Sequence, residues 1–236
     1  MPTLDQPPPD LPAPPPGREA RRSRAYLRNI ILLGSFCALP VFLFGYVLLK
    51  PRHRGADLPE ALNNIRQISI SLLDFDAEFG CFPDSTTIPA VKAYSSTSLT
   101  LDDSSSNKLF RQLIAYELKS ERPFWCKTKT TPNKPDNIFM SDATALRPGE
   151  CGFAYIAGLK SSDPLETPVV MAPLEKGKTT FDRKPYRGRA IILFLDMDAK
   201  PLPIEKDGRV LINGMDIFDP RQPFWKGKAP DIKWQE

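Results

Sequence analysis

The clearest pattern along the chain is a helical repeat of apolar positions that begins near residue 58. Apolar residues recur every three or four positions, which is the spacing that places side chains on one face of an α-helix. Asp57 offers an N-cap, and Gly80 followed by Pro83 offers a stop, so the pattern predicts a helix over 58–79. We expect its packing face to consist of Leu62, Ile65, Ile68, Leu72, Phe75 and Phe79.

A second apolar segment lacks this periodicity. Residues 30–49 ("IILLGSFCALPVFLFGYVLL") contain no charge, and at about 1.5 Å per residue they are long enough to cross the ~30 Å hydrocarbon core of a bilayer. The sequence therefore predicts one transmembrane helix at 30–49. A juxtamembrane linker over 50–57 would join it to a soluble domain over 58–236. Residues 1–29, which are rich in proline and then in arginine, are expected to be a disordered tail.

The basic residues that flank the predicted span favour one orientation. Five arginines precede it between positions 18 and 28, whereas three basic residues follow it between positions 50 and 54. The positive-inside rule then places the tail in the cytoplasm and the soluble domain in the periplasm, with the span in the inner membrane. A cleaved signal peptide would need small residues at the cut, and Leu48 to Pro51 provide none, so we expect the anchor to be retained.

The soluble part continues with one more helical pattern and then with strand patterns. Residues 107–119 follow a run of serines and carry apolar side chains at helical spacing. Short apolar segments then alternate with Gly, Pro and Asp clusters, which predicts strands at 152–159, 168–172, 190–196, 200–205 and 209–212. A long helix followed by strands predicts an α+β fold, in which the amphipathic helix packs on an antiparallel β-sheet.

The first helix carries a family resemblance. The stretch "NNIRQISISLLDFDAEFGCFPD" at 63–84 resembles the helix of type IV pilin-like proteins and of the pseudopilins of type II secretion. The positions that carry this resemblance are Asn63, Asn64, Gln67, Ile68, Phe75, Gly80, Phe82 and Pro83. The predicted hairpin at 190–204 is similar to one that ends many of these domains. The resemblance implies a helix that lies across a sheet, and subunits that associate through their N-terminal helices.

The prepilin cleavage pattern is not part of this resemblance. Gly34 is followed by Ser35 instead of the expected phenylalanine, and the predicted span contains no acidic residue. We therefore expect an atypical relative that keeps its anchor.

The charge balance argues against nucleic acid as a partner. Of the 32 Lys and Arg residues, 24 lie from Gly55 onward, together with 25 of the 28 Asp and Glu residues. The net charge of +4 therefore belongs to the N-terminal segment, whereas a nucleic-acid-binding domain needs a strongly basic face of its own. The expected partners are the membrane and other pilin-like or secretion-system proteins.

Three cysteines lie in the predicted periplasmic part, namely Cys81, Cys126 and Cys151. An oxidising compartment permits a disulfide, and we favour Cys126 with Cys151 because the segment between them is loop-like and poor in core residues. The other pairings and three buried free thiols remain as alternatives. No CxxC or HxxxH spacing exists, and the lone His53 precedes the domain, so neither a metal nor another cofactor is expected.

Two echoed stretches suggest an interaction site. "RPFWCK" at 122–127 and "RQPFWKGK" at 221–228 share Pro-Phe-Trp with flanking cations. The candidate interaction residues are Phe124, Trp125, Phe224 and Trp225, although burial is the default for such rings. The aspartates at 102–103 and at 196 and 198 are interpreted as turn residues instead of calcium ligands.

Three functions follow from these patterns. The leading one is a membrane-anchored, pilin-like structural or interaction protein of the cell envelope, related to a type II secretion pseudopilin. The alternative is a tethered periplasmic binding module that recognises a peptide or glycan through its aromatic loops. A hydrolase is the least supported, because the domain has no histidine, no GxSxG and no Walker-type glycine loop. We expect no enzymatic activity.

Overall fold

The computed structural model describes residues 57–236, and these belong to one compact unit. The predicted tail at 1–29, the predicted transmembrane helix at 30–49 and all of the predicted linker except Asp57 lie outside the described residues. From residue 57 onward, no helix combines the length and the apolar character that a bilayer crossing requires.

The described part of the chain has an α+β fold with three α-helices and a five-stranded antiparallel sheet. The helices come first and are α1 (Asp57–Phe79), α2 (Ile88–Ser95) and α3 (Ser106–Tyr116). The strands are β1 (Ala154–Ala157), β2 (Pro168–Ala172), β3 (Arg189–Phe194), β4 (Ala199–Pro203), β5 (Leu211–Ile212), β6 (Met215–Asp216) and β7 (Asp231–Lys233). The fold class predicted from the sequence is thus confirmed at this level.

Helix α1 follows its predicted pattern along its whole length. Ile65, Ile68, Leu72 and Phe75 are fully buried, whereas Leu62 and Phe79 are partly buried and pack against the same core. The helix ends at Phe79 because Gly80 adopts a positive φ of 78°. The Gly80 amide donates a hydrogen bond of 2.7 Å to the Asp76 carbonyl. The predicted packing face and the predicted end of α1 are therefore both confirmed.

The sheet has the order β4-β3-β2-β1-β7. Strands β1 to β4 form a meander, and β7 returns to pair with the other side of β1. The predicted hairpin is present as β3 and β4, and its turn contains Met197 at a φ of 62°. Strand β7 was not predicted, and the predicted strand at 209–212 is reduced to the two residues of β5, which pairs with β6.

Both faces of the sheet are covered. Ile191 and Leu193 of β3 point into a core shared with α1 and α3, whereas Ile192 and Phe194 point into a second core on the opposite face. The second core is closed by the irregular segment at 204–225. Alternate burial on two faces explains why β3 reads as a continuous apolar run in the sequence.

Helix α3 and the turn after α1 are tied to this framework by specific hydrogen bonds. Ser105 is the N-cap of α3, and its hydroxyl accepts from the Lys108 amide at 3.2 Å. The buried hydroxyl of Tyr155 on β1 donates to the Pro83 carbonyl at 2.9 Å. The sheet therefore holds the chain just where it leaves α1.

Candidate functional site

The four candidate aromatic residues do not form a surface. Phe124 is 0% exposed, and Trp125, Phe224 and Trp225 are between 6% and 7% exposed. Phe124 lies in the core beneath the helices, whereas Phe224 and Trp225 lie in the core on the other face of the sheet. The docking surface predicted from these rings is therefore wrong, because all four rings are buried, with Phe124 in one core and Phe224 and Trp225 in the other.

The echoed Pro-Phe-Trp stretches have a local explanation. Each forms a short 3₁₀ turn that is closed by one hydrogen bond. The Trp125 amide donates to the Arg122 carbonyl at 3.2 Å, and the Trp225 amide donates to the Gln222 carbonyl at 3.0 Å. Proline suits the start of such a turn because that position needs no amide hydrogen. The repeated residues encode the same turn in two places.

The three cysteines among residues 57–236 are free thiols, so the predicted Cys126–Cys151 disulfide is not formed. The Cys126 sulfur packs on the backbone of Gly152, next to Tyr186, and the Cys151 sulfur points to the hydroxyl of Ser106 at 3.9 Å. Burial raises the pKa of Cys126 well above its ordinary value and raises that of Cys151 to about 12. Both thiols act as small buried apolar groups, which was the alternative left open by the sequence.

The aspartates at the β3–β4 turn behave as the sequence indicated. Asp196 and Asp198 are exposed, and Lys200 lies 3.2 Å from one carboxylate and 3.3 Å from the other. The Asp198 amide donates to Asp196, which closes the turn. Among residues 57–236, no group of three or more His, Cys, Asp or Glu residues could hold a metal ion.

Helix α1 presents apolar side chains outward as well as inward. Ile70 is 61% exposed and Leu73 is 40% exposed, and their spacing of three residues puts them side by side on the helix surface. We call these two residues the outer stripe. Because α1 already buries its inner face in its own core, the outer stripe is free to contact another molecule.

A second surface feature is a cleft at the N-terminal end of α1, which we call the basic cleft. It consists of two adjoining parts of about 600 and 290 Å³ that share Thr128, Lys129 and Asp182. The charged residues that line it are Asp57, Lys127, Lys129, Glu175, Lys176, Lys178, Asp182, Lys184 and Arg187. Six cations therefore face three carboxylates, although the domain as a whole is nearly neutral.

Two of the three carboxylates in the basic cleft are paired within it. Asp57 lies 3.1 Å from Lys127, and Glu175 lies 3.1 Å from Lys178. The Thr180 hydroxyl and Lys178 lower the pKa of Glu175, so this carboxyl stays ionised. The exposed lysines at 129, 176 and 184 form no ion pair with another described residue. The cleft thus keeps an excess of positive charge.

The sequence did not indicate this cleft, because its cations come from three separate loops at 127–129, 176–178 and 184–187. Each loop alone looks like an ordinary solvated stretch. Only folding brings the three together beside the first residue of α1.

Comparisons of the chain with protein-family models, with curated proteins and with solved structures found no match. The relation to pilin-like proteins therefore stays a resemblance carried by the residues at 63–84.

Proposed function

We propose that this protein is a membrane-anchored, pilin-like structural or interaction protein of the cell envelope, related to the pseudopilins of type II secretion. The supporting observation is that the 23-residue amphipathic helix α1, which follows the predicted anchor, packs on an antiparallel sheet of the same chain. In this proposal the anchor lies in the inner membrane, the N-terminus is cytoplasmic and the described domain is periplasmic.

The two faces of α1 have separate roles in this proposal. Its inner face, with Ile65, Ile68 and Phe75, is fully covered by the domain and holds the fold together. Its outer stripe offers Ile70 and Leu73 to a neighbouring subunit. Association through the outer stripe removes exposed apolar area from water without disturbing the core, so the domain remains folded whether or not it is assembled.

Site-specific photocrosslinking in native membranes tests this proposal. A benzophenone side chain at position 70 or 73 is expected to crosslink to a second copy of this chain or to another pilin-like subunit, identified by mass spectrometry. Met140 is a matched control, because it is apolar and 77% exposed but lies outside α1. Monomers alone from positions 70 and 73, or equal crosslinking from position 140, would contradict the proposal.

The proposed topology and the retained anchor need a separate measurement. The intact mass of protein taken from its native membrane is expected to include the proline-rich tail, so that residues 1–236 contribute their full 26.5 kDa. Loss of the first thirty or so residues would indicate prepilin-type maturation instead. Protease added to the periplasmic side is expected to reach loops of the described domain but not the residues before position 30.

A further inference from the structure

We propose that the basic cleft is a docking site for the anionic phospholipid headgroups of the membrane in which the chain is anchored. This inference rests on the proposed function in one respect, namely the membrane anchor predicted at 30–49. It adds a defined contact between the folded domain and the bilayer surface.

The position of the basic cleft carries the first part of the inference. Asp57 is the first residue of α1 and also lines the cleft. The predicted span ends at Leu49, and eight residues over 50–57 reach at most about 29 Å when fully extended. The cleft therefore lies at the residue where the described domain begins, and the chain allows that residue to be no more than about 29 Å from the end of the predicted span.

The charge of the cleft carries the second part. Its six cations outnumber its three carboxylates, and the lysines at 129, 176 and 184 form no ion pair with another described residue. Lysine side chains near an anionic bilayer are attracted to its surface over roughly one Debye length, about 8–10 Å. Outside the cleft the domain has 18 Lys and Arg residues against 22 Asp and Glu residues, so this attraction orients the molecule with the cleft toward the lipid.

The shape of the cleft favours lipid over a free anion. Its cations are exposed lysines and one exposed arginine on open loops. Water and salt screen such exposed charges, so they hold a single small ion weakly. A bilayer instead presents many phosphates at once, and the covalent anchor keeps them at a high effective concentration. Pro185, which is partly exposed, adds apolar area to the wall, which suits the glycerol region of a headgroup.

Lysine acetylation of the full-length chain in lipid nanodiscs tests the inference. One nanodisc contains phosphatidylcholine only, and the other contains phosphatidylcholine mixed with phosphatidylglycerol. We expect Lys129, Lys176 and Lys184 to be acetylated about fivefold more slowly in the anionic nanodiscs, as estimated from the attraction of each lysine to an anionic surface. High salt should remove this protection, because the attraction is screened.

Three exposed lysines at the opposite end of α1 serve as internal controls. Lys92 belongs to α2, whose Tyr94 contacts Phe79 at the end of α1, and Lys119 and Lys160 lie near the same end. Because α1 is about 35 Å long, these lysines should react at the same rate in both nanodiscs. Equal acetylation of the cleft lysines in the two nanodiscs, or equal protection of the controls, would overturn the inference.

Charge-reversal variants give a second, matched comparison. The triple variant Lys129→Glu, Lys176→Glu and Lys184→Glu should lose the lipid-dependent protection of the remaining lysines, Lys127 and Lys178. The variant Lys92→Glu, Lys119→Glu and Lys160→Glu changes the charge by the same amount and should keep it. A folded cleft variant that retains full protection would overturn the inference.

Two further measurements distinguish lipid headgroups from free phosphate as the ligand, and the docking site from the membrane anchor. Inorganic phosphate added to the phosphatidylcholine nanodiscs at constant ionic strength should protect no lysine, and protection there would overturn lipid as the ligand. Retention of the chain in nanodiscs after a high-salt wash reports on the anchor alone. A chain that stays in the nanodisc but shows no headgroup-dependent protection would refute the docking site and leave the proposed function standing.

Discussion

Arg111 of α3 and Asp142 of the following loop form an ion pair that joins two parts of the helical layer. The Arg111 side chain is only 3% exposed, and its Nη1 lies 3.0 Å from Asp142 Oδ1. The same guanidinium donates two hydrogen bonds to the Ala145 carbonyl, at 2.6 and 3.0 Å. Arg111 therefore holds the loop at 142–145 against α3.

Replacement of Arg111 should be far more damaging than replacement of Asp142. Arg111→Met leaves the Ala145 carbonyl buried without its donors, and we expect the free energy of unfolding to fall by about 2–4 kcal/mol. Asp142→Asn keeps an acceptor on a side chain that is 45% exposed, so its cost should be about 0.2–1 kcal/mol. Urea denaturation of both variants measures the difference, and equal costs would show that Arg111 acts only through the ion pair.

Gly152 is the next position where a small change should have a large effect. A β-carbon at Gly152 would lie 2.5 Å from the Cys126 sulfur and 2.6 Å from the Cys126 carbonyl oxygen. Gly152→Ala is therefore expected to destabilise the domain by about 1–3 kcal/mol or more.

A double variant separates the two contacts of Gly152. Adding Cys126→Ala removes the sulfur but leaves the carbonyl oxygen in place, so thermal unfolding should show only partial recovery relative to the Cys126→Ala single variant. Full recovery would mean that the sulfur alone causes the overlap.

Glu121 should make the stability of the domain depend on pH. Its carboxyl is buried, with one oxygen accepting from the Leu146 amide at 2.6 Å and the other without a hydrogen-bond partner among the described residues. Burial, with a smaller effect of Glu150 and Asp136, raises the pKa of Glu121 in the folded protein. The folded chain therefore binds this proton more tightly than the unfolded chain does.

The direction of this pH dependence follows from linkage. Below the pKa of about 4.3 that Glu121 has in the unfolded chain, its carboxyl is protonated in both states and costs no stability. As the pH rises through the higher pKa of the folded state, the carboxyl must ionise in a buried position, and the stability of the domain falls. Glu121→Gln removes the charge and keeps the acceptor for Leu146. Its unfolding free energy, relative to that of the unchanged protein, should increase from pH 4 to neutral pH. A relative stability that stays constant or decreases over that range would refute this explanation.

The three cysteines of the domain should differ in reactivity. Thiolates are the reactive form, and burial raises the pKa of Cys126 and Cys151 most strongly, whereas Cys81 is only partly buried. Iodoacetamide is expected to modify Cys81 in the folded protein and all three thiols in urea, as read by peptide mass spectrometry. A Cys126–Cys151 bridged peptide in a non-reduced digest would contradict the free thiols of the structure.

The parts of the fold that the sequence predicted are those with a strong local pattern. The periodic apolar positions of α1 and the apolar run of β2 each determine their element within a short window, so both were predicted closely. Helix α2 has only eight residues and begins with Ile88 and Pro89, too little for a periodic signal. Strand β7 has three residues and exists through its pairing with β1, a partner more than seventy positions earlier.

The candidate site shows the same limit more sharply. The sequence reveals that Phe124 and Phe224 are paired with tryptophans, but it does not reveal that the sheet separates the two stretches. It likewise gives the number of lysines without showing that three loops bring six cations to one end of α1. A surface site that is assembled from distant loops depends on the fold, so no local pattern in the sequence predicts it.

The two edges of the sheet restrict how copies of this domain can meet. Strand β4 forms one edge and contains Pro201 and Pro203, which have no amide hydrogen to offer an incoming strand. The other edge, β7, is only three residues long. The sheet therefore offers a neighbouring copy few backbone amides with which to form a continuous ladder. In the proposed assembly, each copy therefore keeps its own sheet, and subunits contact one another through side chains instead of shared backbone hydrogen bonds.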